Sequence, residues 1–324
     1  MMCAVRFCLL TLVLLVVAVA LPRAATAQNI SCSATMTNVA FGNVNPQSSQ
    51  TDANATLNYT CTNSNNNTRY ATVCFSIGDG AQGGGNSNPR RMQDGAADPL
   101  YFQLWQDVNH TIVWGSSFFG VNTPVQVNVT VAGHGSVSGS ATMYGRVVGG
   151  QTTAIPGAYQ DQFTGNHTAL TINESNSSPP GSCSTSILSQ FPFGVTATVV
   201  SQCSVSATTL DFGTVGLLLA NTDGTSTVTL QCASGVAWQV GLDNGQHAAG
   251  TTRRMIGPTA SLVTYELYRN ATRTQRWGNT LNTDTAVGTG TGANQNLTVY
   301  GRVPNQTTPS AGVYNDTITV TVTY

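Results

Sequence analysis

Apolar and polar residues alternate one for one along much of this chain, in short runs broken by Gly, Asn and Asp. Thr227-Val228-Thr229-Leu230 is one such run, with Asp223-Gly224 just before it as a turn. A longer one occupies residues 191–200, where Phe191, Phe193, Val195, Ala197 and Val199 alternate with Pro192, Gly194, Thr196, Thr198 and Val200. Near the end, Tyr314, Ile318, Val320, Val322 and Tyr324 fall on one face. Period-two patterning between turn residues predicts half-buried β-strands. No long stretch carries the three-to-four spacing of an amphipathic helix, so the pattern predicts an all-β protein.

One segment breaks the alternation. Cys8 to Leu21 is an almost unbroken apolar run, preceded by Arg6 and followed by Pro22, Arg23 and Ala25-Thr26-Ala27. A basic residue, an apolar core and a small-x-small site make residues 1–27 an expected signal peptide, with Gln28 as the first mature residue. The run is short for a membrane span, and no later stretch is long enough, so no span is expected after cleavage.

Self-comparison organises the rest. Cys32-Ser33 and Cys203-Ser204 open segments closed by Cys61 and Cys232, and Phe41-Gly42-x-Val44 matches Phe212-Gly213-x-Val215 between them. Arg90-Arg91-Met92 recurs as Arg253-Arg254-Met255, Leu104-Trp105 as Leu267-Tyr268, and Trp114-Gly115 as Trp277-Gly278. Tyr144-Gly145-Arg146-Val147 then recurs as Tyr300-Gly301-Arg302-Val303, and Gly157-Ala158-Tyr159-Gln160-Asp161 as Gly312-Val313-Tyr314-Asn315-Asp316. The order is kept and loop lengths differ. Two domains are expected, at 28–172 and 191–324, joined by a polar, proline-bearing linker at 173–190. Several short strands in each fit an immunoglobulin-like β-sandwich.

Signal cleavage leaves six cysteines, an even number that in an exported chain reads as disulfides. The repeat makes Cys32–Cys61 and Cys203–Cys232 equivalent staples. Cys74 and Cys183 remain to pair with each other, the alternative being two buried free thiols. No pair has zinc-type spacing, and no metal or cofactor is expected.

Composition narrows the function. Only 8% of residues are charged and there is no lysine. Without Arg6 and Arg23, ten arginines face thirteen acids, which leaves no basic footprint for nucleic acid or anionic lipid. The four histidines are scattered. Gly83-Gly84-Gly85 and Gly288-x-Gly290-x-Gly292 lack the strand–helix context of a phosphate loop, and Gly133-His134-Gly135-Ser136 does not complete a nucleophile elbow. Asp161 and Asp316, at equivalent repeat positions beside Tyr, read as turn or hydrogen-bonding residues, and the arginine pairs as edge-strand or turn residues. No enzyme is expected.

The early Cys-Ser, the Phe-Gly-x-Val turn, the Tyr-Gly-Arg segment and the Gly-x-Tyr-x-Asp run resemble the spore coat protein U family, twice over. Its members look like subunits of archaic chaperone–usher pili. The resemblance implies pilin-like sandwiches that lack their last strand, a periplasmic chaperone that fills the gap first, an outer-membrane usher, and a neighbouring pilin whose N-terminal extension replaces the chaperone. A sandwich short of a strand exposes an apolar groove and an unpaired edge, which β-augmentation closes. Tyr314, Ile318, Val320, Val322 and Tyr324 would then face the partner, because nothing follows Tyr324 to supply the final strand of the second domain. The alternative is a sandwich that closes with its own strands.

Only Gln28, Asn29, Ile30 and Ser31 precede Cys32, too few to fill a neighbour's groove. Residues 191–200, with Phe191, Phe193, Val195, Ala197 and Val199 inward, read instead as a donor strand that completes domain 1 in cis, or as the first strand of domain 2. A subunit with a groove but no donor sits at a fibre end. The expected function is therefore a pilus tip adhesin on the cell surface that mediates attachment to abiotic or host surfaces. Its rival is a structural spore-coat or matrix protein. Phe118, Phe119 and Val121 follow Trp114-Gly115 where domain 2 has Asn279-Thr280-Leu281-Asn282, so they are the candidate adhesive loop, or else a buried Phe pair.

Overall fold

The computed structural model describes residues 28–47 and 49–324, so the expected signal peptide lies outside the described residues. Strand accounts for 49% of it and helix for 2%, an all-β architecture of immunoglobulin-like sandwiches. The first sandwich contains β1 (Ile30–Met36), β2 (Val39–Val44), β3 (Thr51–Asn63), β4 (Arg69–Ile77), β5 (Arg90–Gln93), β6 (Pro99–Trp105), β7 (Val125–Val131), β8 (Ser136–Val147), β9 (Gly157–Phe163), β10 (Thr168–Ser175), β11 (Ile187–Gln190) and β12 (Phe193–Val199). One sheet runs β1-β3-β8-β6-β5-β9-β12-β2 and faces a smaller one, β11-β10-β4-β7. The strands are short and polar outside because each buries only alternate residues, as in β9, where Tyr159, Asp161 and Phe163 point in.

The second sandwich repeats this plan with fewer strands. β13 (Cys203–Ala207), β14 (Thr222–Cys232), β19 (Gln295–Val303), β17 (Leu262–Tyr268) and β16 (Arg253–Ile256) make one sheet in that order. β18 (Ala286–Thr289), β15 (Ala237–Leu242) and β20 (Val320–Thr323) make the other. Its buried apolar core holds fewer than half as many residues as that of the first domain.

Disulfides join Cys32 to Cys61 and Cys203 to Cys232, each across a first hairpin-like pair of strands, and Cys74 to Cys183. Residues 173–190 are not a free linker. They hold the end of β10, the Cys183 tether and β11, which pairs with β10. The polar, proline-bearing composition there marks exposure, and the covalent tie to β4 fixes the chain on the first domain.

Candidate functional site

The two copies differ at one position of the sandwich. In domain 1, β12 lies between β9 and β2, antiparallel to the first (Phe193 opposite Phe163, Val199 opposite Gly157) and parallel to the second (Val195 opposite Val39, Val199 opposite Val44). Just before it, β11 pairs with β10 of the other sheet, so a single stretch of chain closes both sheets at Phe191-Pro192. Phe191, Phe193, Val195, Ala197 and Val199 all point into the core and are buried. Phe191 packs edge-on against Phe75, and Phe193 stacks on Phe163 with ring centroids 4.6 Å apart.

In domain 2 no strand among the described residues fills that place. The segments that would flank it, 210–215 and 312–318, form no strand. The second is held to β16 by one bridge, Ile256 to Asn315, its two backbone bonds 2.9 and 3.0 Å long. An apolar groove results, with Cys203, Leu210 and Phe212 on one side and Tyr314, Ile318, Val320 and Val322 on the other, all half-buried against the core. Val44 is 1% exposed in the closed copy, while Val215, its repeat equivalent, is 39% exposed. Ile172 is 5% exposed, and Tyr324, two residues beyond the matching pair of the other copy, is 56% exposed. The paired edge of β20 faces β15, and its other edge is open.

The groove floor is polar at one point. Tyr265 donates a hydrogen bond to Asp316 Oδ2 at 2.7 Å, and the Gln246 N–H donates to Asp316 Oδ1 at 3.0 Å. Burial, followed by the Asp316 contact, pushes the Tyr265 hydroxyl above its ordinary range. Domain 1 has Phe102 where domain 2 has Tyr265. There Asp161 Oδ1 accepts from the Gln82 and Gln162 N–H groups, while its Oδ2 is buried without a partner. Burial lifts that carboxyl to about 6, against the pull of those N–H donors and of Arg90.

Composition and spacing missed the buried arginines. Arg90, expected at an edge or turn, is fully buried and donates to the carbonyls of Gly78 (2.7 Å), Ile77 (2.8 Å) and Trp114 (2.7 Å) and to the Gln103 amide oxygen. Arg253 repeats this with the carbonyls of Leu242, Asp243 and Trp277 and the Glu266 carboxylate. The signal was parity: Arg90 and Met92 share a strand face, and Met92 is a core residue.

Phe118, Phe119 and Val121 lie in the loop before β7, half-buried. Phe119 stacks on His167 (4.9 Å, 19°), whose Nδ1 lies 3.0 Å from Asp79 Oδ1. Val121 exchanges backbone and side-chain hydrogen bonds with Ser116 and Ser87. The loop lies at the Phe193 end of β12, opposite the end that leads into domain 2, because Ile77 bonds to Gly115 and Gly78 to His167 there. Among the described residues no cluster of His, Cys, Asp or Glu is placed to hold a metal ion, and no helix is long and apolar enough to cross a membrane.

The described chain is thus a tandem of immunoglobulin-like sandwiches, one closed by a following strand and one open. The chain belongs to the spore coat protein U domain family, whose model matches residues 18–166 and 189–321. It is 33% identical to Protein U of Myxococcus xanthus over 145 residues, 40% of this chain and 80% of that protein. Its fold is similar to that in the CsuC–CsuE chaperone–tip adhesion subunit pre-assembly complex from archaic chaperone–usher Csu pili of Acinetobacter baumannii (TM-score 0.52, 15% identity, covering 91% of this chain and 100% of that one). The CupB6 tip adhesin of Pseudomonas aeruginosa also aligns, at TM-score 0.36 and 12% identity over 90% of this chain and 94% of that one.

Proposed function

We propose that the chain is the tip subunit of a chaperone–usher pilus, exported to the cell surface, whose second domain is completed by a strand from a partner. The observation that carries this is internal: one chain holds the same sandwich with the strand in place and with the place open. What β12 does for domain 1 states what domain 2 requires, a strand with alternate apolar residues that pairs with 312–318 and runs beside 210–215. An unfilled groove invites aggregation. A periplasmic chaperone occupying it first, an usher and then an adjacent pilin fit that need. Because β12 is used in cis, domain 1 faces away from the fibre, and its far pole carries Phe118, Phe119 and Val121 as the candidate contact with an abiotic or host surface.

Co-expression with the cognate periplasmic chaperone tests this. Ile318→Asp and Val322→Asp should abolish the complex and leave insoluble chain, while Phe118→Ser/Phe119→Ser should preserve the complex and reduce attachment of the assembled pilus. Complex formation indifferent to charges at 318 and 322 would sink the proposal. The spore-coat name of the family favours a second reading, a coat role. In that case the same groove would join copies in a matrix, and the chaperone-bound form would not pass into pili.

A further inference from the structure

Resting on that strand-accepting role, we infer that the pole of domain 2 formed by Leu217 and Leu219 docks the body of the strand-donating subunit, a second β-sandwich of this same type. The joint inside the chain supplies the template. After β12, only Val200, Ser201 and Gln202 separate the donor strand from β13 of the next sandwich. So short a lead presses that sandwich against the pole of domain 1 where β2 ends. There Val200 N–H donates to the Val44 carbonyl (3.3 Å), and Asn45 Nδ2 to Gln202 Oε1 (2.7 Å). The neighbouring loop of domain 1 packs backbone to backbone, with the Thr152 carbonyl so close to Gly292 that a Cβ would meet it at 1.8 Å.

Domain 2 rebuilds this pole. In domain 1 the Gln151 N–H donates to the Pro46 carbonyl at 2.8 Å, and in domain 2 the Gln306 N–H donates to the Leu218 carbonyl at 2.9 Å. Leu218 also donates its N–H to Thr308 Oγ1 at 2.9 Å and is itself buried, which turns its neighbours outward. Leu217 is 65% and Leu219 75% exposed, where the occupied pole of domain 1 presents Asn45 and Gln47. Leu217 and Leu219 follow the flanking segment 210–215 directly in the chain, just past the exposed Val215, as two exposed apolar side chains. By repeat equivalence, a strand that fills the groove carries its own sandwich onto them. Their burial adds an apolar contact to the strand's backbone bonds.

The test uses whole chain in assembled pili. Leu219 is replaced by the photo-crosslinker p-benzoylphenylalanine, with Tyr324 replaced in a second variant as a reporter of strand capture at the groove rim. The expected result is that position 324 crosslinks to a neighbour's N-terminal strand and position 219 to loops of that same neighbour's sandwich, read by mass spectrometry of the joined peptides. Leu217→Ser/Leu219→Ser, which changes only exposed side chains, should leave the unfolding midpoint of the free chain unchanged and speed loss of the neighbouring subunit roughly tenfold. Crosslinking at 324 without 219, crosslinking of 219 to the chaperone alone, or an unchanged dissociation rate overturns the inference and leaves strand capture standing. No crosslink at either position removes strand capture as well.

Discussion

Arg90 is fully buried in domain 1 and makes four hydrogen bonds there. Its guanidinium is cut off from water, burial pushes it down to about 9, and three main-chain carbonyls and an amide oxygen take its donors. The fork joins β5 to the C-terminal end of β4 and to the loop at Trp114, whose indole N–H donates to the Phe75 carbonyl at 2.8 Å. A lysine reaches one or two of these acceptors and leaves the rest dry. Arg90→Lys should therefore cost domain 1 about 3 kcal/mol, read as a shift of its chemical-denaturation midpoint. An unchanged midpoint would show that the carbonyls need no donor. Asp161 next to it carries a pH signature. Its carboxyl sits at about 6 when folded against 3.8 for the free group, so the folded state holds the proton more tightly. Between about pH 4 and pH 6 the stability of domain 1 should fall as pH rises, by up to about 3 kcal/mol, and level off above. Asp161→Asn should flatten that slope. A slope that survives in the variant would assign it to another group.

At the scale of strands, β12 shows what the sequence could and could not disclose. Its alternation of Phe191, Phe193, Val195, Ala197 and Val199 was legible, because period two belongs to the strand alone. Its neighbours were not, since pairing with β9 and β2 joins residues thirty or more and more than 150 positions away, and nothing local encodes a partner. The strand therefore remained open to two readings, donor to domain 1 or opening strand of domain 2. β11 was missed inside an expected linker: Ser, Pro and Gly before it signal exposure, and four residues are too few to show a period. The copies of the Phe-Gly-x-Val motif illustrate the same limit, since identical residues form β2 in one domain and no strand in the other. What differs is the presence of a strand to pair with. Phe193→Ser removes the stacked pair with Phe163 and should cost domain 1 about 3–5 kcal/mol. Limited proteolysis should then cut first between 176 and 200; cutting confined to domain 2 would count against β12 as the closing strand.

Across the whole molecule, closed and open sandwiches should differ in their demand for a chaperone. The Cys74–Cys183 bridge spans 109 positions and fixes the start of the β11–β12 stretch to β4. A crosslink over so long a loop removes on the order of 4–5 kcal/mol of chain entropy from the unfolded state in the loop-closure description. It therefore favours completion from within over completion by a partner. Wild-type chain should bind one chaperone, at domain 2. Cys74→Ala/Cys183→Ala combined with Phe191→Ser/Phe193→Ser frees the second groove, and the chain should then bind two, as native mass spectrometry of the periplasmic complex would count. The cysteine pair alone should leave the count at one, because the apolar faces of β11 and β12 still meet their own core. Two chaperones on the wild-type chain would mean that β12 does not close domain 1 before assembly, and the division of labour between the copies would fall.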